Sequence, residues 1–123
     1  MHDKEFVMFR YSAMAIISAA AFYGEVEASE PQGNVKIYKV QGSRQCDGGG
    51  QSLEALKRQL VETGAKVLVA SCGVDGKMYP AVCGAADGRI GIFEIPASKA
   101  QSGLPEGFFL LSSLPDAQIV PCK

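Results

Sequence analysis

The chain has no tryptophan, a single histidine at position 2, and no two cysteines at the Cys-x-x-Cys spacing. His2 lies in a stretch that reads as an export signal, so the mature domain keeps no imidazole to act as base, proton shuttle or metal ligand. Ser-His and Cys-His catalysis are thereby excluded. The missing Cys-x-x-Cys argues against a thioredoxin-type redox site and against a zinc ribbon, because both hold two sulfurs together on a short local turn. A surplus of positive or negative charge is missing as well. With a formal net charge of -1 and neither a basic block nor an acidic tail, nothing in the composition calls for nucleic acid or for steering of a charged partner. No serine sits in a G-x-S-x-G elbow with a lysine beside it, which leaves a Ser-Lys hydrolase without its geometry.

Long apolar runs are also absent. Residues 11–23 carry no charge, a length of about 13 that suits the apolar part of a signal peptide but falls short of the roughly 20 residues a membrane span needs. Val26 and Ala28 occupy the -3 and -1 positions of a cleavage site before Ser29. The expected organisation is therefore a signal over residues 1–28 and one globular domain over 29–123, in the periplasm or outside the cell. Asp3 and Glu5 offset Lys4 and Arg10 where a signal is normally positive. A start at Met8 restores that pattern, with Arg10 as the leading charge. Removal of the signal takes Asp3, Glu5, Glu25 and Glu27 but only Lys4 and Arg10, which moves the formal charge from -1 to about +1.

All four cysteines, Cys46, Cys72, Cys83 and Cys122, fall in the mature part. An even number in a small exported domain reads as a disulfide set, and a domain of ~95 residues has a modest core that two bridges would reinforce.

Residues 35–40 alternate apolar and polar side chains, the pattern of a strand with one buried face. Ser52 is placed to cap a helix whose Leu53, Leu56, Leu60 and Val61 share a face, and Gly64 supplies its stop. Residues 66–72 form an apolar strand, and Asp75-Gly76 signals a two-residue hairpin into a second strand at 78–83, confined to an edge by Pro80. Asp87-Gly88 marks another turn before a strand at 89–95 that Pro96 ends. Ser98 caps a short helical turn, and residues 108–111 read as a last buried strand. The expected fold class is α+β, a two-layer domain with one main helix on a mostly antiparallel sheet in the order β-α-β-β-β-(α)-β. A ferredoxin-like plan is the nearest familiar arrangement. In the expected hairpin Cys72 and Cys83 are several residue pairs apart at ~3.4 Å each, while a right-handed crossover puts Cys46 and Cys72 at one end of the sheet. This favours Cys46 with Cys72 and Cys83 with Cys122 among the three pairings that four cysteines allow.

No catalytic set, metal-ligand set or cofactor site is read from the chain. Asp47, Asp75, Asp87, Glu94 and Glu106 are the carboxylates available for acid and base work, but most stand where turns ordinarily carry acids. The sharpest local feature is Gly48-Gly49-Gly50 just before the helix. Its amides, with Arg44 nearby if that side chain turns inward, are a candidate anion cradle; a flexible connection beside a disulfide explains the same residues. Tyr38, Tyr79 and Phe93 are candidates for an aromatic surface, although alternating strand positions are more often core.

Three segments, Gly-Ser-Arg-Gln-Cys at 42–46, Tyr-Pro-Ala-Val-Cys-Gly at 79–84 and Gly-Arg-Ile-Gly-Ile-Phe-Glu-Ile at 88–95, together resemble small exported bacterial proteins whose function is not established. The resemblance implies an envelope or secreted setting and carries over no site residue. The expected role is that of a non-enzymatic domain binding a protein or cell-wall component. The leading alternative is a small inhibitor of a secreted hydrolase of protease or lysozyme type, using an edge strand or a loop that plugs a cleft; a third reading, a His-independent hydrolase, needs Asp47, Asp75 and Asp87 to converge in a cleft.

Overall fold

The computed structural model describes residues 33–123, which belong to one compact unit, Gln32–Lys123. The export segment, its cleavage site before Ser29 and the alternative start at Met8 lie outside the described residues.

Seven regular elements and one 3-10 turn follow in the order β1 (Asn34–Val40), α1 (Leu53–Glu62), β2 (Val69–Val74), β3 (Arg89–Pro96), α2 (Ala97–Gln101), β4 (Phe109–Leu110), a 3-10 turn (Leu111–Ser113) and β5 (Gln118–Ile119). The sheet order is β4-β1-β3-β2-β5, and every neighbouring pair is antiparallel. β1 and β2 therefore run parallel with β3 between them, the split β-α-β arrangement of a ferredoxin-like plan, with β5 added outside β2. The fold class is the expected α+β. Its strand assignments differ in one place that matters.

Residues 78–83 are not a strand, and Asp75-Gly76 does not close a hairpin. The chain between β2 and β3 is instead a long loop over residues 75–88, and from 76 to 81 its polar anchors are side chains rather than a ladder partner. Asp75 is buried and accepts hydrogen bonds from the Lys77 amide and the Tyr79 hydroxyl, and Pro80 has no amide to offer a neighbouring strand. The place expected for a third strand is taken by β3.

Helix α1 forms where its cap and face are written. The Ser52 hydroxyl accepts from the Ala55 amide at 3.1 Å, Leu56 and Leu60 are fully buried, and Gly64 follows with φ 90°. Val61 instead faces solvent. Gly91 sits on β3 directly beneath the helix. A Cβ there would come within 3.0 Å of the Leu56 side chain and 3.1 Å of the Leu53 side chain, so any larger residue at 91 would require both leucines to give way. The main core gathers Ile37, Leu56, Leu60, Ala65, Phe93, Ile95 and Phe108 between helix and sheet. Lys39 ties the layers at the rim, donating to Gln59 at 2.9 Å and standing 5.2 Å above the Phe108 ring.

The opposite face holds a smaller cluster of Ile90, Ile92 and Leu114, covered by Leu111, Ala117 and Tyr38. Of the expected buried strand at 108–111, only Phe108 is in the core; Phe109 and Leu110 are exposed on a two-residue edge strand. Helix α2 starts after Pro96 with no side-chain cap, so Ser98 is not its N-cap.

The disulfides are Cys46–Cys83 and Cys72–Cys122, not Cys46–Cys72 and Cys83–Cys122. The loop is the cause. It folds back over the turn at 44–48, where Arg44 bridges both Gly48 and Ala86 and the Gln45 backbone exchanges hydrogen bonds with Gly84 and Ala85. Cys83 then lies beside Cys46, with Cα atoms 5.1 Å apart. At the other edge β5 pairs with β2, and the Val120 amide donates to the Cys72 carbonyl. That pairing delivers Cys122 to Cys72 at 5.2 Å. The two bridges cross in sequence, first with third and second with fourth.

Candidate functional site

Two features stand out around the 44–48 turn. One is an open recess of about 770 Å³, lined by the turn, the glycine loop, β3 at Arg89 and the carboxyl end of the chain at Cys122 and Lys123. The other is the loop over residues 75–88, which leaves Met78 and Val82 exposed.

The three glycines 48, 49 and 50 all have positive φ (68°, 77° and 75°), which suits a loop doubling back to reach Ser52. They do line the recess, as the anion reading requires. Two of its parts are spent elsewhere, however. The Gly48 amide donates to the Arg44 carbonyl, and the Arg44 guanidinium reaches out to the Gly84 carbonyl at 3.3 Å. Arg44 nonetheless lines the recess beside the glycines, so its side chain serves the loop and borders the candidate cradle at once. Arg89 and Lys123 line the recess as well, and sequence reading missed both because nothing local connects them to the glycines.

The carboxylates separate into different settings. Asp47 and Glu106 are exposed, and Glu94 pairs within the sheet opposite Lys36 and Val69. Asp87 lines the recess and accepts from the Arg89 amide at 3.0 Å. Burial pushes its carboxyl up, but the Ser43 hydroxyl, the Arg89 amide and the charges of Arg89 and Lys123 outweigh this and hold it below the usual carboxylate value. Ser43 acts by proximity, for its buried Oγ reaches no partner at full hydrogen-bond geometry. Asp75 serves the loop rather than the recess. Among the described residues no three His, Cys, Asp or Glu side chains gather as a metal site.

Tyr38, Tyr79 and Phe93 form no common surface. Phe93 is in the main core, Tyr38 packs against Phe109 on the other face of the sheet, and Tyr79 belongs to the loop.

The loop is held from several sides. One Asp75 oxygen accepts the Lys77 amide at 2.9 Å and the other accepts the Tyr79 hydroxyl. The Gln45 side-chain amide donates to the Pro80 and Ala86 carbonyls at 2.8 and 3.1 Å. Cys83 is bonded to Cys46. At the loop's base Gly76 has φ 79°, and a Cβ there would stand 2.3 Å from the Asp116 carbonyl, so the backbone approaches the turn before β5 as only glycine permits. From this frame Met78 projects 97% exposed, with Val82 also open to solvent. No sequence pattern announces that exposure, because Met-Tyr-Pro-Ala-Val reads equally well as a buried strand.

The hydrogen bond to Asp75, aided by burial and by the negative charges of Asp75 and Asp87, pushes the Tyr79 hydroxyl up to about 12. An unfolded tyrosine titrates near 10, so the protonated bond contributes fully below about pH 10 and is lost as pH rises toward 12. Urea unfolding is expected to show constant stability from about pH 7 to 9 and a loss of about 1 to 2 kcal/mol by pH 12, discounted for solvent at the ring. Tyr79→Phe should remove that part of the slope. An identical alkaline slope in Tyr79→Phe would show that the bond does not hold the loop.

No protein family, curated protein or solved structure matches this chain. Among the described residues no helix is long and apolar enough to cross a membrane.

Proposed function

We propose that the protein is an exported, non-enzymatic binding domain, and that its contact with a protein partner is made by the loop over residues 75–88. One observation carries this reading: Met78 is 97% exposed on a loop fastened by a buried carboxylate, a glutamine and a disulfide. Large apolar side chains left in water are ordinary when scattered, but one presented on an immobilised support is the form of an interface anchor. A loop already fixed loses little freedom on binding, so more of its contact energy is expressed as affinity. The two disulfides support a setting that oxidises thiols, in keeping with export.

The test is photo-crosslinking in the native cell, with a diazirine amino acid at position 78 and, as control, at Glu62 on the exposed side of α1. The expected result is one dominant protein adduct from position 78, absent from position 62 and lost when Cys46 and Cys83 are both replaced by alanine. Equal adducts from the two positions, or none from position 78, would remove the loop as the binding surface.

A further inference from the structure

The loop also holds its main chain in a particular form. From Gly76 to Pro80 the backbone enters no helix, strand or turn, and residues 76–81 make no hydrogen bond from backbone to backbone among the described residues. It is open chain, exposed at Lys77, Met78 and Pro80, yet fixed by side chains at the Lys77 amide and the Pro80 carbonyl. Asp75, only 5% exposed, grips the residue before Met78 by its amide and the residue after it by its hydroxyl. The side chain between those two grips is turned outward.

Endopeptidase clefts take up their substrates as open, unpaired main chain, bound by strand-like hydrogen bonds, with one side chain seated in a specificity pocket. Loops that fold into regular structure do not fit. We propose that residues 76–80 enter the cleft of a secreted endopeptidase as a substrate segment would, with Met78 in an apolar primary pocket, and block it. This rests on the reading of the loop as the binding surface and names the class of partner. Methionine, long and unbranched, can reach the base of a deep apolar pocket and adapt to its walls.

The same clamps distinguish a blocker from a substrate. Hydrolysis adds one water across the Met78–Tyr79 amide and leaves a carboxylate on Met78 and an ammonium group on Tyr79. In an ordinary substrate the two ends part. Here the Met78 end stays on Asp75 through the Lys77 amide, and the Tyr79 end stays on the same carboxylate through its hydroxyl, with Gln45 holding Pro80 and Cys46 holding Cys83. The new ammonium and carboxylate remain side by side, where reformation of the amide, expelling the same water, competes with release.

The experiment uses the oxidised protein purified after export, titrated against chymotrypsin and subtilisin, whose pockets are apolar, trypsin, whose pocket requires a cation, and lysozyme. Expected is competitive inhibition of chymotrypsin or subtilisin. Met78→Asp should weaken it about 100-fold, and Met78→Lys should transfer it to trypsin. Both changes fall on a fully exposed side chain, so folding is preserved. The proposal is overturned by no inhibition of these endopeptidases at about 10 μM, by inhibition indifferent to Met78→Asp, by inhibition of lysozyme alone, or by rapid cutting at Met78–Tyr79 without inhibition. If inhibition is absent while the crosslinks from position 78 persist in cells, the endopeptidase assignment falls and the binding reading stands. If those crosslinks vanish as well, both fall.

Discussion

Replacing Cys72 and Cys122 together by alanine is expected to cost the domain about 4 kcal/mol and to lower its melting temperature by roughly 15 to 30 °C. The bridge closes a sequence separation of 50 residues, and the unfolded chain regains that loop's freedom when it is cut. Domains of this size are stable by only about 5 to 15 kcal/mol in all. Local structure gives little to fall back on. β5 is two residues long with both side chains exposed, and beyond it the tail is held by the Val120 amide on Cys72 and by Arg89 on the Pro121 carbonyl. Alanine is the right replacement because Cys72 is buried, where a serine hydroxyl would add a desolvation cost of its own. Urea denaturation of the oxidised wild type beside the double variant provides the measurement. A loss below about 1 kcal/mol would mean that the tail is held without the bridge.

Phe93→Ala is expected to cost about 3 to 5 kcal/mol. Phe93 is completely buried at the centre of the main core, and its ring meets Phe108 edge-on, with centroids 6.1 Å apart at 61°. It sits on the central strand of the sheet, so neighbours on both sides limit how far the backbone can collapse into the space left behind. Phe109→Ala is the natural comparison. That ring is 55% exposed on an edge strand, and its loss should cost about 1 kcal/mol or less. Equal costs at the two positions, by chemical or thermal denaturation, would contradict the layered core described above.

Elements whose signals are local were legible from sequence. The alternation from Val35 to Val40, the Ser52 cap with Leu56, Leu60 and Gly64, and the apolar run of β3 ended by Pro96 all lie where their patterns put them. The physics acting there spans a few residues, and the residues record it. The segment at 78–83 misled because its side chains suit a strand, while its actual partners, Asp75 and Gln45, belong to a tertiary arrangement with no periodicity. The disulfide pairing failed for the same reason. Once the hairpin was replaced by a folded-back loop, Cys83 moved to Cys46 and Cys72 was left for the tail. Strand β5 is too short for alternation to register. The candidate anion residues Arg44, Gly48, Gly49 and Gly50 all border one recess, but the bond from Arg44 to the Gly84 carbonyl, 40 residues away, has no local signal.

The crossed order of the two bridges bears on how the protein matures. A chain that emerges amino end first presents Cys46 and then Cys72 before either native partner is available. The first sulfur-sulfur bond open to it is thus one the finished molecule does not contain. Cys83 must arrive before Cys46 can be claimed correctly, and Cys122, one residue from the end, must arrive before Cys72 can. A Cys46–Cys72 bond formed at that stage would have to be reopened by an attacking thiolate, supplied by the late cysteines themselves or by a disulfide isomerase. A compartment that only oxidised, without exchanging, would trap any such early bond.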